Sequence, residues 1–282
     1  MDLKQTYLKV KDHSVSYEEF NLLYNPTLDL LETSPKPSKE KLQDYYKSED
    51  YISHTDGKRN LFEKAYQWIK SISLKRKLEL IDSFNFEEKQ LLDVGCGTGD
   101  FLHKAINTWD VVGIEPNERA REIANKKTVD KVYDVDSLPK LKASSCSIIT
   151  LWHVLEHLPE LEYHISLFEK ILKDNGRLII AVPNYKSFDA NYYKSYWAAY
   201  DVPRHLWHFS QSAIKNVFSK NGFEIETVHP MKFDAYYVSL LSEKYKSGWM
   251  NFFSAFFIAT RSNLKAARSG EYSSLIYVLK KS

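Results

Sequence analysis

Leu91-Leu92-Asp93-Val94-Gly95-Cys96-Gly97-Thr98-Gly99-Asp100 is the stretch that decides the reading of this chain: an apolar run passes without a break into a loop with glycine at every second position. Glycine is needed where a backbone turns with positive φ or where a ligand must come close to main-chain atoms, and in open α/β sheets such loops sit at the carboxyl ends of strands, where ligands bind. The pattern is G-x-G-x-G. Asp100 stands where the dinucleotide fingerprint G-x-G-x-x-G has its third glycine, and no G-K-[ST] follows, so nicotinamide and Walker-type phosphate sites both lose support. Sixteen residues past Gly99, Val112-Gly113-Ile114-Glu115-Pro116 ends a second apolar run on an acid. A carboxylate at that tip can accept both hydroxyls of a ribose, and Pro116 suits the first turn of a following helix. Loop and acid together describe a nucleoside site.

Working outward, 90–94, 111–115, 131–134, 147–152 and 177–182 are short apolar runs, and most of the segments between them carry helical spacing. Strands alternating with helices predict βαβ units and hence a Rossmann-like, doubly wound α/β fold, with a mostly parallel seven-stranded sheet covered by helices on both faces. Two further strands are expected at 223–228 and 274–280. Upstream, Leu61, Ala65, Trp68, Ile69, Ile72, Leu78 and Ile81 recur at three and four residues, the period of an amphipathic helix over 59–83. Residues 1–57, broken by Pro26, Pro35 and Pro37, read as an irregular polar appendage with one short helix at 39–46. The expected division is this appendage and a core domain over 58–282, with an aromatic lid insert at 185–209 and a helical insert at 231–270.

The chain has 282 residues, with 39 Lys and Arg against 37 Asp and Glu, and 43% of it is apolar. That excludes collagen-like, low-complexity and mostly disordered classes, and a net charge of +2 does not suit a protein built to neutralise phosphates, so no nucleic-acid partner is expected. Two cysteines, Cys96 and Cys146, cannot form a disulfide framework, and neither a secretory segment nor a membrane span is legible, so a cytoplasmic location is expected. Residues 231–282 nevertheless carry eight bases against three acids, and Trp249, Phe252, Phe253, Phe256 and Phe257 cluster within them. Core packing, a partner interface and contact with a membrane surface are all open for that segment.

Residues 91–184 resemble the class I S-adenosylmethionine-dependent methyltransferases, and the sequence on to the C-terminus is similar to the small-molecule branch labelled type 11 or 23. The resemblance implies S-adenosyl-L-methionine as cofactor, S-adenosyl-L-homocysteine as product, no metal, and a small-molecule acceptor, most readily methylated on oxygen. It places Asp93, Gly95, Cys96, Gly97 and Gly99 around the methionine part, Glu115 and Pro116 at the ribose, and Asp134 by the adenine. Trp152 and His153, in Trp152-His153-Val154-Leu155-Glu156-His157-Leu158, fall at the sheet edge near the transferred methyl. Tyr46, Tyr51 and His54 belong to a block that similar proteins fold over the cofactor. Cys146-Ser147 replaces the Phe-Asp of many relatives on the fourth strand, which implies a missing polar contact near the cofactor. The zinc-ribbon cysteines that some relatives carry in the appendage are absent around residues 25–31.

His153-Val154-Leu155-Glu156-His157 also spells H-x-x-E-H, which on a helix would set two zinc ligands one turn apart. A strand feeding directly into it and Pro159 just beyond argue against that reading. Asp201-Val202-Pro203-Arg204-His205-Leu206-Trp207-His208-Phe209-Ser210 forms a second cluster behind an aromatic-rich segment. His153, His205 and His208 are candidates to take a proton from an acceptor hydroxyl, and Arg204 to hold an acidic substrate or only the Asp201 loop. Ser210 is the expected N-cap of the next helix. The rival reading from another class is a non-catalytic nucleoside-binding module that uses its basic aromatic segment to hold a partner or membrane surface.

Overall fold

The computed structural model describes residues 5–46 and 61–282. Its main sheet is built from β4 (Gln90–Val94), β5 (Asp110–Ile114), β6 (Val132–Tyr133), β7 (Cys146–Trp152), β8 (Leu172–Pro183), β10 (Phe223–Pro230) and β11 (Ser274–Lys281), in the order β10-β11-β8-β7-β4-β5-β6. All pairs from β8 to β6 are parallel; β11 runs antiparallel to both β8 and β10. The doubly wound α/β expectation therefore holds, down to the number of strands. Successive side chains on a strand point to opposite faces, and the core follows that rule. Leu91, Ile148 and Ile179 pack on one side with Phe101, Leu102 and Trp109, while Leu92, Ile149 and Ile180 pack on the other with Ile165, Phe168 and Phe218. Both faces being covered explains why the strands read as apolar runs without alternation.

The covering helices are α2 (Leu61–Asp82), α3 (Asp100–Ala105), α4 (Glu118–Thr128), α5 (Leu161–Ile171) and α7 (Gln211–Ser219), preceded in the chain by a single turn, α1 (Lys39–Leu42). In α2, Ile81 is fully buried and Leu74 and Leu78 pack beside it, but Trp68, expected on the apolar face, stands 64% exposed. Among the described side chains, the helix meets the core through Leu74, Leu78, Leu80 and Ile81 of its C-terminal half. Ser210 caps α7 as expected, its hydroxyl accepting from the Ala213 N–H at 3.0 Å.

The expectation of an irregular appendage fails. β1 (Gln5–Lys11), β2 (Glu19–Asn25) and β3 (Leu30–Ser34) form an antiparallel meander, and β9 (Trp207–His208), from the aromatic insert, pairs with β3 to complete a second sheet. Alternation was there to be read in Glu19–Asn25, where Phe20 and Leu22 are buried and Glu19 and Asn21 are exposed. A third core joins this sheet to the insert: Val10, Phe20, Leu22 and Leu31 pack with Tyr185, Tyr193, Trp197 and Tyr200 of the insert, including α6 (Phe188–Tyr193), and with Val238 and Ile258 from α8 (Asp234–Ser247) and α9 (Phe252–Ser269). The insert thus packs and pairs with the N-terminal sheet.

Candidate active site

The glycine loop leaves β4 at its carboxyl end and turns into α3. Gly95, Gly97 and Gly99 all have positive φ, at 69°, 55° and 76°. At Gly95 a Cβ would run into the Val154 side chain, and at Gly99 it would come within 2.9 Å of the Ala124 Cβ, so both positions require glycine for space as well as for φ. A Cβ on Gly97 would meet nothing within 4 Å: the loop faces open space there. The Cys96 thiol does not share that opening. It turns back against Gly113 and the core, where burial pushes its pKa up, so only the Cys96 backbone remains available to a ligand.

Glu115 follows β5 and is 7% exposed. Its Oε2 accepts the Gly97 N–H at 2.8 Å and its Oε1 the Asn117 N–H at 2.9 Å. A carboxylate has about four lone-pair sites, which leaves room for two ribose hydroxyls. Burial pushes this carboxyl up, against the two N–H donors and Arg121. Pro116 is exposed and precedes the cap; it is Asn117 that starts α4, its side chain accepting from the Ala120 N–H. Asp134, after β6, pairs with Arg121 at 3.0 Å and stays partly open to solvent.

Beneath the loop lies Asp93, 2% exposed, whose carboxylate accepts the Thr150 hydroxyl at 2.6 Å. Burial raises its pKa, opposed by Thr150 and by the charge of Lys77, while burial lowers Lys77, opposed by Asp93 and Asp234. The Lys77 ammonium lies 4.4 Å from the centre of the Trp152 ring, and the indole N–H of Trp152 is buried with no partner. An acid, a cation and an orphaned donor at the end of β4 and β7 suit an amino-acid moiety, which carries one ammonium and one carboxylate. The residues present therefore fit S-adenosylmethionine. Lys77 was missed in the sequence, where it is one of several bases in a helical run; only its position on the inner face of α2 distinguishes it.

His153, just past β7, has φ 58°. Its Nε2 is 3.1 Å from Asp234 Oδ2 at the start of α8, and its Nδ1 is 3.5 Å from Glu156 Oε1. Burial alone would lower its pKa; the two carboxylates outweigh that and raise it to about 9. Asp234 is the second residue that the sequence did not announce. Four residues on, His157 shifts the other way, down to about 4, through burial and the charge of His205. Its Nδ1 lies 3.0 Å from the Arg204 carbonyl and 2.9 Å from the Tyr46 hydroxyl. Tyr46 therefore reaches the edge of the site, whereas Tyr51 and His54 lie outside the described residues.

The other catalytic candidates are placed inside the fold. Arg204 is 6% exposed and holds Asp201 through Nε and Nη2, Asp12 at 3.0 Å and the Tyr45 carbonyl at 3.1 Å. Each of its guanidinium nitrogens has a partner, and these join the insert to the N-terminal segment, so of the two roles expected for it the structure supports holding the loop. His208, on β9, lies 3.0 Å from the Thr33 hydroxyl, and burial holds its pKa well below the usual value. His205 donates from Nδ1 to the Ala199 carbonyl at 2.8 Å, and its ring packs edge-on against His157. Neither buried histidine reaches the sheet edge as His153 does.

The H-x-x-E-H ligand pair does not form, because His153 directly follows a strand and its Nε2 meets Asp234. Glu156, His157 and His205 instead bring one potential ligand atom each within 4.8 Å of one another. These are donor types a divalent cation accepts. Neither oxygen of Glu156 has a hydrogen-bond partner, but Oε1 lies 3.5 Å from His153 and 4.0 Å from His205; burial pushes the carboxyl up and the neighbouring histidines outweigh it. The Cys146-Ser147 departure is also relocated. Ser147 donates to the Glu88 carbonyl at the amino end of β7, opposite the cofactor end, so it removes no contact from the cradle.

Fold and cradle together define a class I S-adenosylmethionine-dependent methyltransferase. Residues 59–228 match the family described as "Methyltransferase domain", and the chain belongs to that family. A ubiquinone biosynthesis O-methyltransferase of Pelagibacter ubique is 27% identical over 160 residues, which cover 51% of this chain and 65% of that protein, so the match spans just under two thirds of that relative. An uncharacterised methyltransferase of Oceanobacillus iheyensis is 25% identical over 189 residues, covering 62% of this chain and 84% of its own. Among solved structures, magnesium protoporphyrin IX methyltransferase of Synechocystis PCC 6803 with bound S-adenosylhomocysteine aligns with TM-score 0.57 at 17% identity, over 87% of this chain and 100% of that one. A possible histamine N-methyltransferase of Thermotoga maritima aligns with TM-score 0.51 at 19% identity, over 78% and 94%. These two likenesses establish the shared fold.

Proposed function

We propose that this chain transfers the methyl group of S-adenosylmethionine to an oxygen of a small-molecule acceptor, with His153 governing the proton of the acceptor hydroxyl. The observation that carries this reading is the Asp234–His153–Glu156 arrangement at the carboxyl end of β7, beside the cradle. The cofactor supplies a methyl group on a sulfonium, with a neutral thioether as leaving group. What remains for the protein is to align the acceptor, exclude water and receive a proton. Asp93 and Lys77 suit the ammonium and carboxylate of the methionine part, and Glu115 the ribose. Trp152, at the carboxyl end of β7 beside His153, is an aromatic side chain suited to excluding water near the sulfonium.

An imidazole held as its cation until about pH 9 is a poor base at neutrality and a good one for an acidic hydroxyl as pH rises. The O-methylation named for the Pelagibacter ubique relative supports oxygen as the acceptor atom. The test is kcat against pH with hydroxylated acceptors. We expect a limb rising towards pH 9 that moves down in Asp234→Asn, since loss of one carboxylate lowers the His153 pKa. A profile unmoved by Asp234→Asn, with His153→Ala still active, would remove His153 from this role.

A further inference from the structure

The last helix of the insert presents an unusual surface. Ala255, Ile258, Ala259, Ser262 and Ala266 of α9 are buried against the protein, at the spacing of one helical face. On the opposite side Phe253 is 92% exposed, Leu264 68%, Phe256 64% and Phe257 62%, with Trp249 at 61% just before the helix. Isolated exposed apolar residues are ordinary; a contiguous ridge of large rings is not, and marks a surface that is covered in use. The charge around it is one-sided. Between Lys244 and Gly270 there are five bases, Lys244, Lys246, Arg261, Lys265 and Arg268, and no acid. All five are exposed, and among the described residues none is paired with a carboxylate.

We propose that α9 and Trp249 form a docking ridge for an anionic lipid surface, with the rings inserted among the acyl chains and the five bases against the headgroups. An interfacial helix combines an aromatic and Leu face with flanking Lys and Arg, and α9 has that composition and is already folded and fixed by its inner face. Its side chains stand outward into solvent, most of all Phe253, which suits a fluid medium that closes around them. A second copy of this chain is a poorer occupant, because a two-fold contact would bring both sets of five bases together.

The ridge also connects to the site. The Phe256 ring lies 5.5 Å from that of Tyr236, and Tyr236 is two residues beyond Asp234, which holds His153. Docking would therefore set the His153 side of the molecule close to the membrane, and the acceptor class it points to is one carried in or on the bilayer. That last step rests on the methyl-transfer reading above; the docking does not.

The experiment is co-sedimentation of the full chain with phosphatidylglycerol–phosphatidylcholine vesicles and with phosphatidylcholine vesicles alone, beside calorimetric binding of S-adenosylhomocysteine. We expect association with the anionic vesicles that weakens with salt. Phe253→Ser with Phe257→Ser should weaken it more than about tenfold, Lys265→Glu with Arg268→Glu should abolish the preference for anionic lipid, and neither should change cofactor-product binding. Failure of the wild type to sediment, or equal sedimentation of the phenylalanine variant, overturns the proposal. So does a wild-type dimer that Phe253→Ser dissolves, which would make a second copy the occupant. Vesicle binding without S-adenosylhomocysteine binding would sink the methyl-transfer reading and leave the docking ridge standing.

Discussion

The cofactor half of this molecule and the half that faces the acceptor are held together in different ways. Around the glycine loop, order comes from neighbours in sequence or on adjacent parallel strands: Gly95 N–H to the Ile114 carbonyl, Glu115 to Gly97 and Asn117, Asp93 to Thr150. Around the insert, it comes from contacts that span most of the chain. Asp12 meets Arg204, Thr33 meets the His205 carbonyl and His208, and Asp29 meets Tyr185, Lys186 and Ser210. The first kind of order is rigid because its backbone is locally determined. The second depends on buried charges, each of which is costly if its partner is taken away.

Removing one such partner is the largest effect expected from a single change. Arg204→Ala leaves Asp12 and Asp201 without their cation and should cost about 3–5 kcal/mol in thermal or denaturant unfolding. Arg204→Ala, Asp12→Ala and the double variant form a cycle; a double variant no worse than the worse single one would show that the pair acts as a unit. There is a pH signature too. Burial raises the Asp12 carboxyl, but the Ser16 and Ser14 N–H groups and Arg204 outweigh it and hold it well below the usual range. A depressed carboxyl contributes stability that is complete above its unfolded value of about 4 and is lost as pH falls further. The insert and N-terminal sheet should therefore loosen first in acid, and Asp12→Asn should remove that part of the acid limb.

The cofactor half should respond in affinity before stability. Glu115→Ala removes the acceptor proposed for the ribose and frees the Gly97 and Asn117 N–H groups; binding of S-adenosylhomocysteine should fall by about two orders of magnitude, about 2.7 kcal/mol, with a smaller loss of melting temperature. Undiminished binding would remove Glu115 from the proposed ribose site. Gly95→Ala adds a positive-φ penalty and an overlap with Val154, which we expect to cost about 1–3 kcal/mol.

The two halves also differ in how much of them was legible. The loop, the strands around it and Glu115 could be read because each is a local pattern: an apolar run, glycines at fixed offsets, an acid at a strand tip. Asp234 and Lys77 could not, because their meaning arises only when α8 and α2 arrive beside β7 and β4. The N-terminal sheet was hidden for a related reason. Its strands are short, its prolines suggested loops, and its fourth strand, Trp207–His208, comes from more than 170 residues away. His205, His208 and Arg204 drew attention as titratable groups near aromatic residues, and the same chemistry proves to serve the joint between sheet and insert.

Where the halves meet, His153 and His157 stand four residues apart with opposite shifts, and this gives the subtlest test. His153 is raised to about 9 by Asp234 and Glu156 against its burial. A raised histidine contributes stability that is complete below its unfolded value of about 6.5 and is lost as pH rises through about 9. His157, lowered to about 4, contributes in the opposite sense: fully above about 6.5, and lost as pH falls towards 4. Between these limits His153 is charged and His157 neutral, so imidazole C–H resonances in a pH titration should show one histidine moving on the alkaline side and another on the acid side. In Asp234→Asn the alkaline transition should move down towards 6.5 while the acid one stays, because His157 owes its shift to burial and His205, not to Asp234. If both transitions moved together, the two rings would titrate as one cluster, and the division into a charged residue at the acceptor and a neutral one at the joint would fail.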